Sequence, residues 1–101
     1  NQKEEPIAII AVISNEYIDI FRTKILLNNS YPASKLSEIF DYKNKEFRIK
    51  NAEIKCRNLS LSAIGKSFHA LLEADESLKS VPINPKIILQ TLIIKLIKYL
   101  N

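Results

Sequence analysis

Apolar side chains recur along the chain at the three- and four-residue steps of amphipathic helices, and short polar segments interrupt them at four places. The interruptions are Asn28-Asn29-Ser30-Tyr31-Pro32, Asp41-Tyr42-Lys43-Asn44, Asn58-Leu59-Ser60 and Ser80-Val81-Pro82-Ile83-Asn84-Pro85. Asn tolerates the left-handed backbone of a helix end and also caps helix starts, so it can serve as punctuation in a chain with a single Gly. The pattern predicts five helices.

The first covers residues 5–27. Pro6 suits a first-turn position, and Glu4 and Glu5 sit near the positive end of the helix dipole. Ile7-Ala8-Ile9-Ile10-Ala11-Val12-Ile13 is apolar all round, and its β-branched residues also fit a buried strand. The continuation through Tyr17, Ile18, Phe21, Ile25 and Leu26 keeps helical spacing and decides for helix. A short second helix, residues 33–40, carries Leu36, Ile39 and Phe40, with Ser34 or Ser30 as its cap. The third, residues 45–56, takes Asn44 as N-cap and places Phe47, Ile49, Ile54 and Cys56 as apolar positions.

The fourth helix follows Ser60, a natural N-cap, and repeats Leu61, Ile64, Phe68, Leu71, Leu72 and Leu78 along one stripe. Gly65 interrupts that stripe, which suits either a helix held by tertiary packing or a close approach of a neighbouring helix. The fifth begins with the cap and first-turn proline Asn84-Pro85 and runs to Leu100 with a very wide apolar arc. Such an arc means either a central place in the bundle or a face packed on another chain. For the second case Ile87, Leu92, Ile94 and Ile97 are the candidate interface residues.

Composition narrows the class. With 101 residues, 47% hydrophobic and 26% charged, the chain is the size of one packed domain and is too apolar for a disordered segment. One Gly is too few for the tight turns of an all-β protein, so the expected fold class is all-α. The longest apolar run, from Pro6 to Ile13, is far shorter than the roughly 20 residues of a membrane helix. A single Cys cannot form an intramolecular disulfide, and a soluble protein in a reducing, cytoplasmic setting is expected. The chain contains no Met and opens on Asn1, which reads as a fragment or processed product of a larger protein. Fifteen Lys+Arg against eleven Asp+Glu give a net charge of +4, spread along the chain as on an ordinary solvated surface.

The inventory for catalysis is thin. His69 is the single His and Cys56 the single Cys, and there is no glycine-rich phosphate loop. His69, between Phe68 and Ala70, reads as a rim residue, and Cys56 as a small core residue. No metal, cofactor or catalytic residue is expected. Asp75 lies four residues after Leu71 and seven after Phe68, inside the apolar stripe of the fourth helix, where a carboxylate needs a partner. Lys79 is one turn on, and Arg22, Arg48 and Arg57 can come from other helices; the expectation is a structural polar anchor between helices. The second and third helices also permit a helix-turn-helix reading, with Lys45, Arg48, Lys50 and Lys55 as nucleic-acid contacts.

Four segments in order, Glu46-Phe47-Arg48-Ile49-Lys50-Asn51-Ala52, Cys56-Arg57-Asn58-Leu59-Ser60, Leu71-Leu72-Glu73-Ala74-Asp75-Glu76-Ser77-Leu78-Lys79-Ser80 and Asn84-Pro85, resemble the C-terminal domain of the bacterial DNA polymerase III delta subunit. Phe21-Arg22 and the stretch from Ser34 to Phe40 extend the resemblance over nearly the whole chain. Lys45-Glu46 stand where that family has His-Pro, and Cys56 with Asn58-Leu59 soften its Arg-Arg-Phe pattern. The resemblance implies an all-helical collar, or oligomerisation, domain of clamp-loader type, as one C-terminal domain over residues 1–101. It further implies assembly with gamma or tau and delta-prime subunits and contact with the sliding beta clamp through a separate N-terminal domain. DNA would then be met only within the assembled complex, and the polymerase chemistry would lie in other subunits.

Overall fold

A computed structural model of the chain describes residues 3–100. Five α-helices follow one another: α1 Glu4–Asn28, then a 3-10 turn Ala33–Lys35 running into α2 Leu36–Ile39, α3 Glu46–Cys56, α4 Leu61–Ser80 and α5 Pro85–Tyr99. No strand occurs among the described residues, and the all-α expectation holds.

Helix boundaries follow local chemistry, with two departures from expectation. Ser60 Oγ accepts the Ala63 N–H at 3.0 Å and opens α4, while Asn84 Oδ1 accepts the Lys86 N–H at 2.9 Å and opens α5 with Pro85 behind it. Neither Ser30 nor Ser34 caps the second helical segment: Ser30 has a φ of 65° and stops α1, and Pro32 stands at the start of the 3-10 turn. Asn44 likewise does not cap α3. Its φ of 63° places it in the left-handed region that Asn tolerates, at the end of a turn in which the Asp41 carboxylate accepts the Lys43 N–H. Both polar residues reverse the chain, and α3 starts one residue later than a cap at Asn44 would give.

Two cores result. The larger joins Ile10, Tyr17 and Ile20 of α1 to Ile64, Leu71 and Leu78 of α4 and Ile88, Leu92 and Leu96 of α5, with Ala52 and Cys56 of α3 and Leu59 at its edge. Small residues on α4, Ser67, Ala70 and Ala74, are buried in the same layer and let helices approach. Ser67 is made tolerable there because its hydroxyl donates to the Ala63 carbonyl at 2.8 Å. The smaller core consists of Ala33, Leu36, Tyr42 and Ile49, against which Leu26 packs.

α1 is the hub. It packs on α3 on one side and on α4 on the other, and α4 carries α5. The body measures 45 × 30 × 17 Å, so it is flat, and α5 lies at an edge with only one side covered. α5 is therefore not the central helix of the bundle.

Gly65 is exposed, and a methyl group added to it would meet nothing within 4 Å. No close helix approach requires it, and it lies in an ordinary helical conformation inside α4. Gly65→Ala is therefore expected to stabilise the domain by about 0.5–1 kcal/mol, read as a higher urea midpoint with an unchanged slope.

Candidate functional site

The one deeply buried carboxylate among the described residues is Asp19, midway along α1 and only 4% exposed. The Tyr42 hydroxyl donates to its Oδ1 at 2.6 Å, and the Arg48 guanidinium donates through Nε to Oδ2 at 2.9 Å and through Nη2 to Oδ1 at 3.0 Å. This is the forked pairing that matches a planar guanidinium to a carboxylate. Arg22 reaches the same cluster: its Nη1 donates to the Tyr42 oxygen at 3.3 Å, and its guanidinium carbon lies 3.7 Å from the centre of the Phe40 ring. Burial, followed by the hydrogen bond to the Asp19 carboxylate, raises the Tyr42 pKa, and the same carboxylate holds the Arg48 charge more firmly still. Two helices, α1 and α3, and the turn before α3 are thus joined by one anion.

The expected polar anchor is built on a different carboxylate from the one singled out in the sequence. Asp75 is half-buried and takes Lys79 of its own helix at 2.8 Å, so it joins nothing across the bundle. Its offset from Leu71 carries it to the edge of the apolar stripe, where a lysine one turn on reaches it without crossing a helix interface. Of the three arginines proposed as its partners, Arg22 and Arg48 serve the Asp19 cluster, and Arg57 is exposed at the end of α3. Asp19 itself carried a signal in the sequence: a lone acid inside Tyr17-Ile18-Asp19-Ile20-Phe21. The basic residues of the helix-turn-helix reading are partly committed too. Arg48 is bound to Asp19, Lys55 lies 3.5 Å from Glu16, and the exposed side of α3 carries Phe47 and Ile54 beside Lys50 and Asn51.

A cavity of about 240 Å³ adjoins the cluster, between Val12 and Glu16 of α1 and Phe47, Asn51 and Lys55 of α3. No group of three or more His, Cys, Asp or Glu among the described residues is placed to hold a metal. His69 is exposed and 3.9 Å from Glu73, and Cys56 is buried, with burial raising its thiol pKa. No helix among the described residues is long and apolar enough to cross a membrane.

The outer face of α5 is the other feature. Ile87, Ile94 and Ile97 are 53%, 67% and 57% exposed, and Ile83, Ile93 and Leu100 are exposed as well, with the polar Gln90 and Thr91 between Ile87 and Ile94. Leu92 does not belong to this face. At 2% exposed it points with Ile88 and Leu96 into the core, because positions four apart share the face that meets α4. The groove between α4 and α5, of about 170 Å³, is lined by Ala74, Ser77, Ile83, Ile87 and Thr91 among others, and its rim holds a 2.8 Å hydrogen-bonded pair, Lys95 with Glu73.

The described residues thus form a flat helical bundle with apolar side chains left exposed along α5. Residues 1–96 match the family described as DNA polymerase III delta subunit, C-terminal domain, and the chain belongs to that family, which works in clamp loading. No curated protein matches the chain, and no solved structure does.

Asp19→Ala is expected to cost about 3 kcal/mol, the lower end for a broken buried pair because the Arg48 side chain, 33% exposed, can turn to water. Asp75→Ala is expected to stay within about 1 kcal/mol of the parent, as for a surface ion pair. Chemical denaturation of the two variants separates these roles, and equal losses would refute the assignment.

The exposed Glu73–Lys95 pair gives a pH signature. The hydrogen bond from Lys95 holds the Glu73 carboxyl below its ordinary 4.5, and the same bond raises the Lys95 ammonium above its ordinary 10.5. The carboxylate contribution is present above pH 4.5 and fades as pH falls through the lowered folded-state value. The ammonium contribution is present below 10.5 and fades as pH rises through the raised one. Glu73→Gln should therefore lower the thermal midpoint slightly at pH 7, and the difference should close on acidification below the Glu73 transition.

Proposed function

We propose that this chain is a non-catalytic assembly domain of a delta subunit, contributing one segment of the clamp-loader collar through the uncovered face of α5. The observation that carries the reading is the exposure of Ile87, Ile93, Ile94 and Ile97 on the outer side of an edge helix whose opposite face is fully engaged in the core. Its partners in this reading are the gamma or tau and delta-prime subunits, and contact with the sliding beta clamp belongs to an N-terminal domain of the same subunit. The setting is the cytoplasm, DNA is met by the complex as a whole, and nucleotidyl transfer belongs to the polymerase subunits of the parent holoenzyme. The helix-turn-helix alternative is disfavoured by the commitment of Arg48 to Asp19 and of Lys55 to Glu16.

Mixing the folded chain with the collar domains of gamma and delta-prime should give a complex on size-exclusion chromatography. Ile87→Ser combined with Ile94→Ser should abolish it while leaving the thermal midpoint nearly unchanged, and Ile54→Ser on α3 should leave it intact. A folded parent chain that elutes alone in the presence of both partners would overturn the proposal, as would salt-sensitive binding to duplex DNA lost on changing Lys50 and Lys45.

A further inference from the structure

The uncovered face of α5 carries a charge pattern as well as an apolar one. From Val81 to the end of the chain there is no Asp or Glu, while Lys86, Lys95 and Lys98 are present. Lys95 is taken up by Glu73 across the α4–α5 groove. Lys86 and Lys98 are exposed and form no ion pair among the described residues. At 100° per residue, Lys86 heads the row that continues through Ile93 and Ile97, seven and eleven residues on, and Lys98 ends the row begun by Ile87 and Ile94. The isoleucine face is thus bracketed by an unpaired ammonium at each end, on opposite sides.

We infer that this face selects a partner helix whose aliphatic surface is rimmed by carboxylates placed to meet Lys86 and Lys98, and that it excludes pairing with a second copy of this chain. The inference rests on the assembly reading above and deepens it. Apolar burial supplies affinity without choosing between partners, whereas rim charges set encounter rate, register and rejection of wrong partners. A two-fold contact through α5 opposes the same patch to itself, so it would gather the four Lys86 and Lys98 ammonium groups with no carboxylate from either helix. Like charges at a closing apolar seam are repelled, and the seam excludes the water that would screen them. The same lysines with the same isoleucines would also suit an anionic membrane surface. Against that occupant stands the groove of about 170 Å³ beside it, lined by Ile83, Ile87 and Thr91 together with residues of α4, a concavity that a flat membrane surface would leave unfilled.

The test measures association of the full chain with the gamma and delta-prime collar domains by stopped flow across ionic strength, alongside sedimentation equilibrium of the chain alone. The expected result is a monomer alone, and salt-sensitive association that slows about tenfold in the double variant Lys86→Glu, Lys98→Glu, while Lys86→Arg with Lys98→Arg keeps the parent rate. Both lysines are exposed, so an unchanged circular dichroism melt should accompany the loss. If Ile87→Ser with Ile94→Ser abolishes the complex but the charge reversal leaves rate and salt dependence unchanged, the inference is overturned and the assembly reading stands. If neither partner associates, both fall. A dimer of the parent chain at micromolar concentration, or co-sedimentation with phosphatidylserine vesicles that the charge reversal removes, would likewise overturn the inference.

Discussion

Everything in this domain hangs on what happens at Asp19. A carboxylate taken out of water at the middle of a long helix is a cost of several kcal/mol until it is surrounded by donors, and three hydrogen bonds from Tyr42 and Arg48 surround it. Those donors belong to the turn before α3 and to α3 itself, so the charge can be satisfied only when that segment lies against α1 in one register. Apolar contacts alone would let α3 slide or rotate at small cost, because Ile49, Ala52 and Cys56 present a smooth and small-sided surface. The forked Arg48 pairing removes that freedom. Its net contribution to stability is modest by the same reasoning, and its effect is on which packing forms.

Once α3 and the 3-10 turn are fixed on one side of α1, the other side is free to take α4, and the flatness of the molecule follows. Tyr17 and Phe21 of α1 meet Phe68 of α4 edge to face, with ring centres 6.4 and 6.0 Å apart. The row Ile64, Ser67, Leu71, Ala74 and Leu78 on α4 then faces inward at alternating steps of three and four, and α5 completes the layer with Ile88, Leu92 and Leu96. Among the described residues nothing covers the outer side of α5. An edge helix with a mean content of apolar residues this high must leave part of them in water, and the outer isoleucines are that remainder.

The sequence was most legible where periodicity and capping agree. Ser60 and Asn84-Pro85 give helix starts that the structure keeps, and Ile64, Leu71 and Leu78 of the α4 stripe lie in the core, whereas Leu61 and Leu72 are 41% and 57% exposed. Legibility failed where one residue type serves two purposes. Ser30 and Asn44 looked like caps because caps favour them, yet both occupy left-handed backbone, a use that Asn shares with caps and that Ser rarely takes. Asp75 stands out in the sequence because the fourth helix has the cleaner stripe, and Asp19 does not. In α1 the apolar residues surround the helix and blur the face on which Asp19 lies. Leu92 does not separate from Ile94 and Ile97 in the sequence because apolar residues lie on nearly every side of α5 and give no sign of where core ends and surface begins. Only the position of α4 supplies that line.

The choice of side chain on the outer arc adds a last step. Isoleucine in a helix is confined by its β-branch to essentially one χ1 rotamer, so covering it forfeits little side-chain freedom compared with an unbranched residue of similar size. Leu and Met would adapt to more shapes and lose more entropy on ordering, which suits a promiscuous surface. Val81 through Leu100 contains five Ile outside the core and no Met at all. A rigid arc of this kind favours a partner of complementary, fixed shape, and the stems of Lys86 and Lys98 can lie along its margins while their charged ends stay hydrated until that partner arrives. The same residues that keep the exposed edge from collapsing on itself are then the ones that orient what covers it.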